Sequence, residues 1–112
     1  AQRGLGSFLA VLKEFGEKTS GGMLSFPAPG FTLALDLPNR GVKTLQLFSE
    51  LDRLVITAGG RIYPAKDARM SAAMFQASYP RWQEFKKHID PRISSAFWRR
   101  VSTTLERGSF QP

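Results

Sequence analysis

Between positions 42 and 58 apolar side chains recur every three or four residues, at Leu45, Phe48, Leu51, Val55 and Ala58, and the run then meets Gly59-Gly60. That spacing places the five side chains on one side of a helix, and the glycine pair supplies its stop. A one-sided helix needs a surface to cover. At 112 residues the chain has room for one small core and not for two, so that surface has to come from the flanks of this helix.

On the N-terminal flank, residues 5 to 16 ("LGSFLAVLKEFG") satisfy two periods at once. Leu5, Leu9, Leu12 and Phe15 suit a helix face; Leu9, Val11, Lys13 and Phe15 equally suit one face of a strand, with Phe8, Ala10 and Leu12 on the other. Composition leans towards helix. The following "EKTSGGMLSFPAPG" is a loop, with two glycines and two prolines that favour extended backbone. "FTLALDLP" then reads as a strand, with Thr32, Ala34 and Asp36 on one side and Phe31, Leu33, Leu35 and Leu37 on the other.

On the C-terminal flank, "RIYP" reads as a short strand and Asp67 as the N-cap of a helix through "ARMSAAMFQASY", whose Met70, Ala73, Met74 and Ala77 make a small-residue face. Pro80 suits the first turn of a further helix, "PRWQEFKKHI", ending before Asp90-Pro91. Ser94 or Ser95 caps a last helix with Phe97, Trp98, Val101 and Leu105. The expected class is α+β: antiparallel strands with a packed helix, then a helical segment.

Charge is unevenly placed. Residues 1 to 60 hold six Lys/Arg against five Asp/Glu, and residues 61 to 112 hold ten against four, so the second half carries six of the seven net positive charges. A basic half of this kind suits nucleic acid, an anionic membrane, an acidic protein partner or the pyrophosphate of a cofactor, and no nucleic-acid motif accompanies it. The chain lacks cysteine, which excludes disulfides, thiolate metal sites and a Cys nucleophile. His88 is the sole histidine and no carboxylate pair has ligand spacing, so no metal site is expected. There is no apolar run of membrane-spanning length, and the start has no signal-peptide pattern. The location is left open between the cytoplasm and the membrane periphery.

"GGRIYPAKDARMS", residues 59 to 71, is the stretch that most resembles a site. Tyr63 and Lys66 fall in a short non-helical link, where a rigid scaffold can aim side chains. Packing alone would make Tyr63 an aromatic at the core edge and Lys66 a surface charge beside a helix cap.

Taken together, "FLAVLKEFG", "LSFPAPGFTLALDLP", "FSELDRLV", "GGRIYPAKDARMS" and "YPRWQEFKKHIDP" resemble, in order and spacing, the C-terminal portion of FAD-linked oxidases of the vanillyl-alcohol-oxidase fold. The resemblance implies that residues 1 to 62 end a substrate-binding (cap) domain. It implies that 63 to 112 return to the FAD-binding domain, most of which lies outside this chain. It turns residues 8 to 15 into a strand paired with residues 31 to 37. Leu9, Val11, Lys13, Phe15, Thr32 and Ala34 would then line the substrate site, and Lys66 and Tyr63 would be the catalytic and flavin-contacting residues.

The implied cofactor is FAD. The implied reaction is hydride transfer from a secondary alcohol of a sugar or polyprenyl-phosphosugar to flavin N5, with a cation stabilising the charge that develops. Mycobacterial members have Asn and Cys where this chain has Thr32 and Ala34, which changes the polarity of the pocket. Without the FAD domain the chain is expected to be inactive and to associate with itself. The rival expectations are a free-standing basic α+β module that binds nucleic acid or another anion, and an interaction domain that docks on an acidic protein.

Overall fold

The computed structural model describes residues 4 to 65 and 69 to 104. Within them the elements run β1 (Leu9–Phe15), β2 (Gly30–Asp36), α1 (Val42–Thr57), α2 (Ala72–Ser78), α3 (Trp82–Lys86) and α4 (Ala96–Val101). The fold is α+β, with β1 and β2 forming a two-stranded antiparallel sheet. Contacts divide the chain into two compact units: Ala1–Ser20 with Pro27–Arg53, and Gly21–Phe26 with Leu54–Pro112.

In the first unit the ambiguous stretch is a strand. Leu9 pairs with Asp36, Val11 with Ala34, Lys13 with Thr32 and Phe15 with Gly30. Two interlocking alternations outweigh the helical spacing because the β2 segment offers a full-length partner, which one isolated helix turn would not have. The ribbon is followed by a tight entry into α1. Thr44, buried within the helix's first turn, accepts a hydrogen bond from the Arg40 N–H at 2.9 Å and donates to the Pro38 carbonyl at 2.9 Å. The Asn39 side chain accepts from the Gly41 N–H at 3.0 Å. These bonds occupy polar groups that a helix start otherwise leaves open.

α1 ends where the glycines require. The Gly60 N–H donates to the Val55 carbonyl at 2.8 Å and the Gly59 N–H to the Ile56 carbonyl at 2.9 Å, with Gly59 at φ 71°. This pair of reversed bonds is a Schellman motif, and its left-handed residue favours glycine. Gly60 is held to glycine for a second reason: a Cβ there would lie 2.9 Å from Val55 Cγ1 and 3.0 Å from the Val55 carbonyl oxygen. The covered side of α1 differs in part from the expected one. Phe48, Leu51 and Val55 are half-buried, whereas Leu45 and Ala58 are exposed. Buried Thr44 and half-buried Leu47 and Ile56 take their place, which rotates the covered stripe by about one residue.

The core of the second unit is Met70, Met74, Phe75, Tyr79 and Val101, with Leu24, Ile56, Ile62, Trp82, Phe97 and Trp98 packed against it. Phe75 meets Phe97 and Trp98 edge-on at 5.7 and 6.1 Å between ring centroids, a favourable arrangement of ring quadrupoles. Gln76 ties α2 to the end of α4, donating to the carbonyls of Val101 at 3.1 Å and Thr103 at 2.8 Å.

Four expectations for this unit are corrected. "RIYP" forms no strand: the Ile62 N–H donates to Ser78 Oγ at 3.3 Å and the Ile62 carbonyl accepts from Tyr79 O–H at 2.8 Å, so side chains take the place of a neighbouring strand. α2 begins at Ala72, and its N-cap is Ser71, which accepts from the Met74 N–H at 3.2 Å. The expected cap, Asp67, lies outside the described residues. The buried face of α2 is Met74, Phe75 and Ser78, with Ala77 exposed, because the aromatic cluster recruits Phe75. The helix expected from Pro80 to Ile89 shortens to α3, after which His88 and Ile89 continue as tight turns bonded three residues back. Ser95 caps α4 as expected, accepting from the Trp98 N–H at 3.0 Å; Leu105 lies outside the described residues.

Candidate functional site

The register settles which side chains of the ribbon share a face. Strand side chains alternate, and directly opposed residues of an antiparallel pair project to the same side. Leu9, Val11, Lys13 and Phe15 of β1 therefore stand beside Asp36, Ala34 and Thr32 of β2. All six residues expected to line a substrate site are brought onto one face. That face is open: Leu9 is 52% and Val11 37% exposed, while Phe15 and Thr32 are half-buried.

Chemically the face is an apolar wall with one cation near its middle. Lys13 and Thr32 are direct cross-strand partners, an ammonium with three donors beside a hydroxyl that both donates and accepts. An ammonium beside a hydroxyl can meet a hydroxyl, carbonyl or phosphate oxygen, and Leu9, Val11 and Ala34 flank the pair on the same exposed face. Asp36, opposite Leu9, completes this face. It fell on the Thr32 side of the alternation from the start, but no resemblance singled it out. Ser7 closes that end of the ribbon by donating to the Asp36 carbonyl at 2.9 Å.

The second group belongs to the other unit. Tyr63 is 57% exposed, and its ring rests edge-on against Phe26 at 5.1 Å between centroids and 60° between planes. Just before it, Ile62 has both backbone polar groups tied to the end of α2, and the Arg61 guanidinium donates to the Ser25 carbonyl at 2.9 Å. Pro64 favours extended backbone at Tyr63. The ring is thus carried on a segment held at several points. Lys66 lies outside the described residues.

Tyr79 is a tyrosine that the sequence did not mark. Burial pushes its phenol up to about 12, an effect moderated by the nearby Arg61 cation and reinforced by Tyr63. Its proton is therefore retained, and that proton makes the bond to Ile62 that positions the link. Its signal was its place in the apolar run before Pro80, which reads as core.

Several cations of the second half are engaged within this unit. Arg81 pairs with Glu84 at 2.8 Å and Arg92 with Asp90 at 2.8 Å. Arg100 donates to the Met70 carbonyl at 3.0 Å and lies 5.5 Å from the centre of the Phe97 ring. Among the described residues no three of His, Asp and Glu gather in a way that would hold a metal ion, and no helix is long and apolar enough to cross a membrane.

In sequence the chain is similar to part of an oxidase. Over 88 residues, 76% of this chain, it is 42% identical to the decaprenylphosphoryl-beta-D-ribose oxidase of Mycolicibacterium smegmatis. Over 100 residues, 87% of this chain, it is 40% identical to a Streptomyces coelicolor protein described as an uncharacterized protein in the mprA 5' region. These matches span 19% and 26% of those proteins, so the chain covers about a fifth to a quarter of the relatives' own length. No protein-family model matches the chain.

Proposed function

We propose that this chain is the C-terminal portion of an FAD-dependent oxidoreductase that oxidises a secondary alcohol of a sugar or polyprenyl-phosphosugar. The observation that carries the reading is the 42% identity to an oxidase of such a compound across three quarters of the chain. The ribbon register supports it, because it gathers all six expected pocket residues on one accessible face.

The residues present suit a flavin on one count that can be read from the structure: Tyr63 offers a well-exposed aromatic ring, backed by Phe26, against which a planar ring system can lie. When bound, the flavin accepts the hydride. On this reading Lys66 and Tyr63 meet the cofactor. The Lys66 ammonium stabilises negative charge on the substrate oxygen or at the flavin's pyrimidine edge, while Tyr63 walls the site. Lys13 and Thr32 hold substrate oxygens, and Leu9, Val11, Phe15 and Ala34 keep water from the reacting carbon. The FAD domain that completes the site is supplied by the rest of the parent protein.

The test is anaerobic mixing of the flavin-loaded parent with a polyprenyl-phosphosugar, followed by flavin absorbance. Bleaching of the oxidised band with formation of a ketone is expected. A flavin that stays oxidised with every phosphosugar offered, or a parent that carries no flavin, overturns the reading.

A further inference from the structure

The segment Gly21–Phe26 lies in sequence between the two strands of the ribbon, yet it belongs to the second unit. Leu24 packs against that unit's core, and the Ser25 N–H closes a turn by donating to the Gly22 carbonyl at 3.2 Å. The turn is held a second time from the link before α2, where the Arg61 guanidinium donates to the Ser25 carbonyl at 2.9 Å. Next along the chain, half-buried Phe26 sets its ring edge-on to Tyr63, 5.1 Å between centroids.

Backbone and side chain of Tyr63 are therefore constrained separately. The backbone is set by Ile62, tied to Ser78 and Tyr79, and by Pro64. Those bonds leave the side chain its choice of χ1 and χ2, because a ring that is 57% exposed keeps its rotamers unless something packs on it. Phe26 packs on it, and Phe26 is only as well placed as the turn that carries it. One exposed hydrogen bond adds little to the stability of a fold. What Arg61 adds is direction: its planar fork joins the residue two before Tyr63 to the residue just before Phe26. Arg61, Ser25, Phe26 and Tyr63 thus form a closed circuit of chain and contacts.

We propose that Arg61 and Phe26 are positioning residues for Tyr63, holding its ring in one orientation towards a planar ligand. The inference rests on the reading that Tyr63 meets the flavin, and it deepens that reading by naming residues that act through Tyr63. A loosened ring still visits the productive orientation, so its release costs less than outright misplacement of a group at the site.

The experiment compares the visible circular dichroism of the bound flavin in the full-length parent and its variants, alongside turnover and melting temperature. Arg61→Gln and Phe26→Leu should each move the flavin band in the direction that Tyr63→Ala moves it and lower kcat roughly tenfold. Arg61→Gln should do so with little change in melting temperature. Combined with Tyr63→Ala, neither should move the band further, since the ring they position is gone. The conservative Arg61→Lys and Phe26→Tyr should keep most of the native signal. A band that Tyr63→Ala moves while Phe26→Leu leaves it unchanged overturns this proposal alone, since any effect of Arg61→Gln would then be one of charge. An effect of either variant that persists undiminished in the Tyr63→Ala background also overturns this proposal alone. A band that none of the three moves overturns both this proposal and the reading beneath it.

Discussion

Tyr79 shows how a single side chain in this protein links packing to the candidate site. Its hydroxyl satisfies the Ile62 carbonyl beside Tyr63, and removing that donor leaves the acceptor partly buried without a partner. Tyr79→Phe is expected to cost about 1–2 kcal/mol in a denaturant titration. The phenol also makes stability depend on pH at the alkaline end. Its pKa is about 12 when folded against an ordinary value of 10.0, so the folded state binds this proton more tightly. The resulting stabilisation is complete below pH 10 and is lost as pH rises through 12. Thermal melts across that window should fall for the native sequence and fall less for Tyr79→Phe. Lys66 carries the chemical prediction at this scale. In the flavin-loaded parent, Lys66→Ala should reduce turnover by roughly a hundredfold or more, the scale of losing one preorganised electrostatic group, with folding unchanged. A variant that turns over at the native rate would leave Lys66 as an ordinary surface charge.

At the scale of elements, helix ends are the best defined features. Gly60→Ala has to displace Val55, since the new methyl would sit at 2.9 Å from its side chain and 3.0 Å from its carbonyl oxygen. Loss of about 1 kcal/mol or more is expected, against a smaller effect for alanine at Gly6, where nothing lies within 4 Å. Comparison of the two melting temperatures checks it. Ser71→Ala should likewise remove about 1 kcal/mol by taking the cap from α2, and this separates the observed cap from the expected one. The glycine stop and the Ser95 cap were legible because they are local chemistry: a φ requirement and a hydroxyl three residues from an N–H. The start of α2 was not, since Asp67 and Ser71 are equally competent caps and the choice falls to whichever position lets Met70 and Phe75 enter the core. "RIYP" was misread as a strand for a related reason. Its pattern is extended, but only the fold could show that Ser78 and Tyr79 take up its polar groups.

For the whole molecule, the ribbon sets the main expectation. Its second face carries Leu12, Phe31 and Leu33 at 66%, 73% and 58% exposed, beside Phe8 at 80%. Contiguous apolar surface of this kind seeks cover, so the 112-residue chain alone should self-associate through it while the parent protein does not. Sedimentation velocity should show concentration-dependent species that Phe31→Lys with Leu33→Lys disperses. A dilution-stable monomer of the unsubstituted chain would count against it. The sequence by itself determined the α+β class, the alternation of β2 and the glycine stop of α1, because each follows from spacing or from a backbone angle within a few residues, whereas β1 satisfied both periods and became a strand only through the resemblance. That Leu9, Val11, Lys13, Phe15, Thr32 and Ala34 share one face of the ribbon was legible through alternation and resemblance together. Tertiary structure decided the pairing of Lys13 with Thr32, the rotation of the covered side of α1, the cap of α2 and the role of Tyr79. Each of these depends on which surfaces separated in sequence meet, and burial free energy there exceeds the small differences in local propensity that a sequence displays.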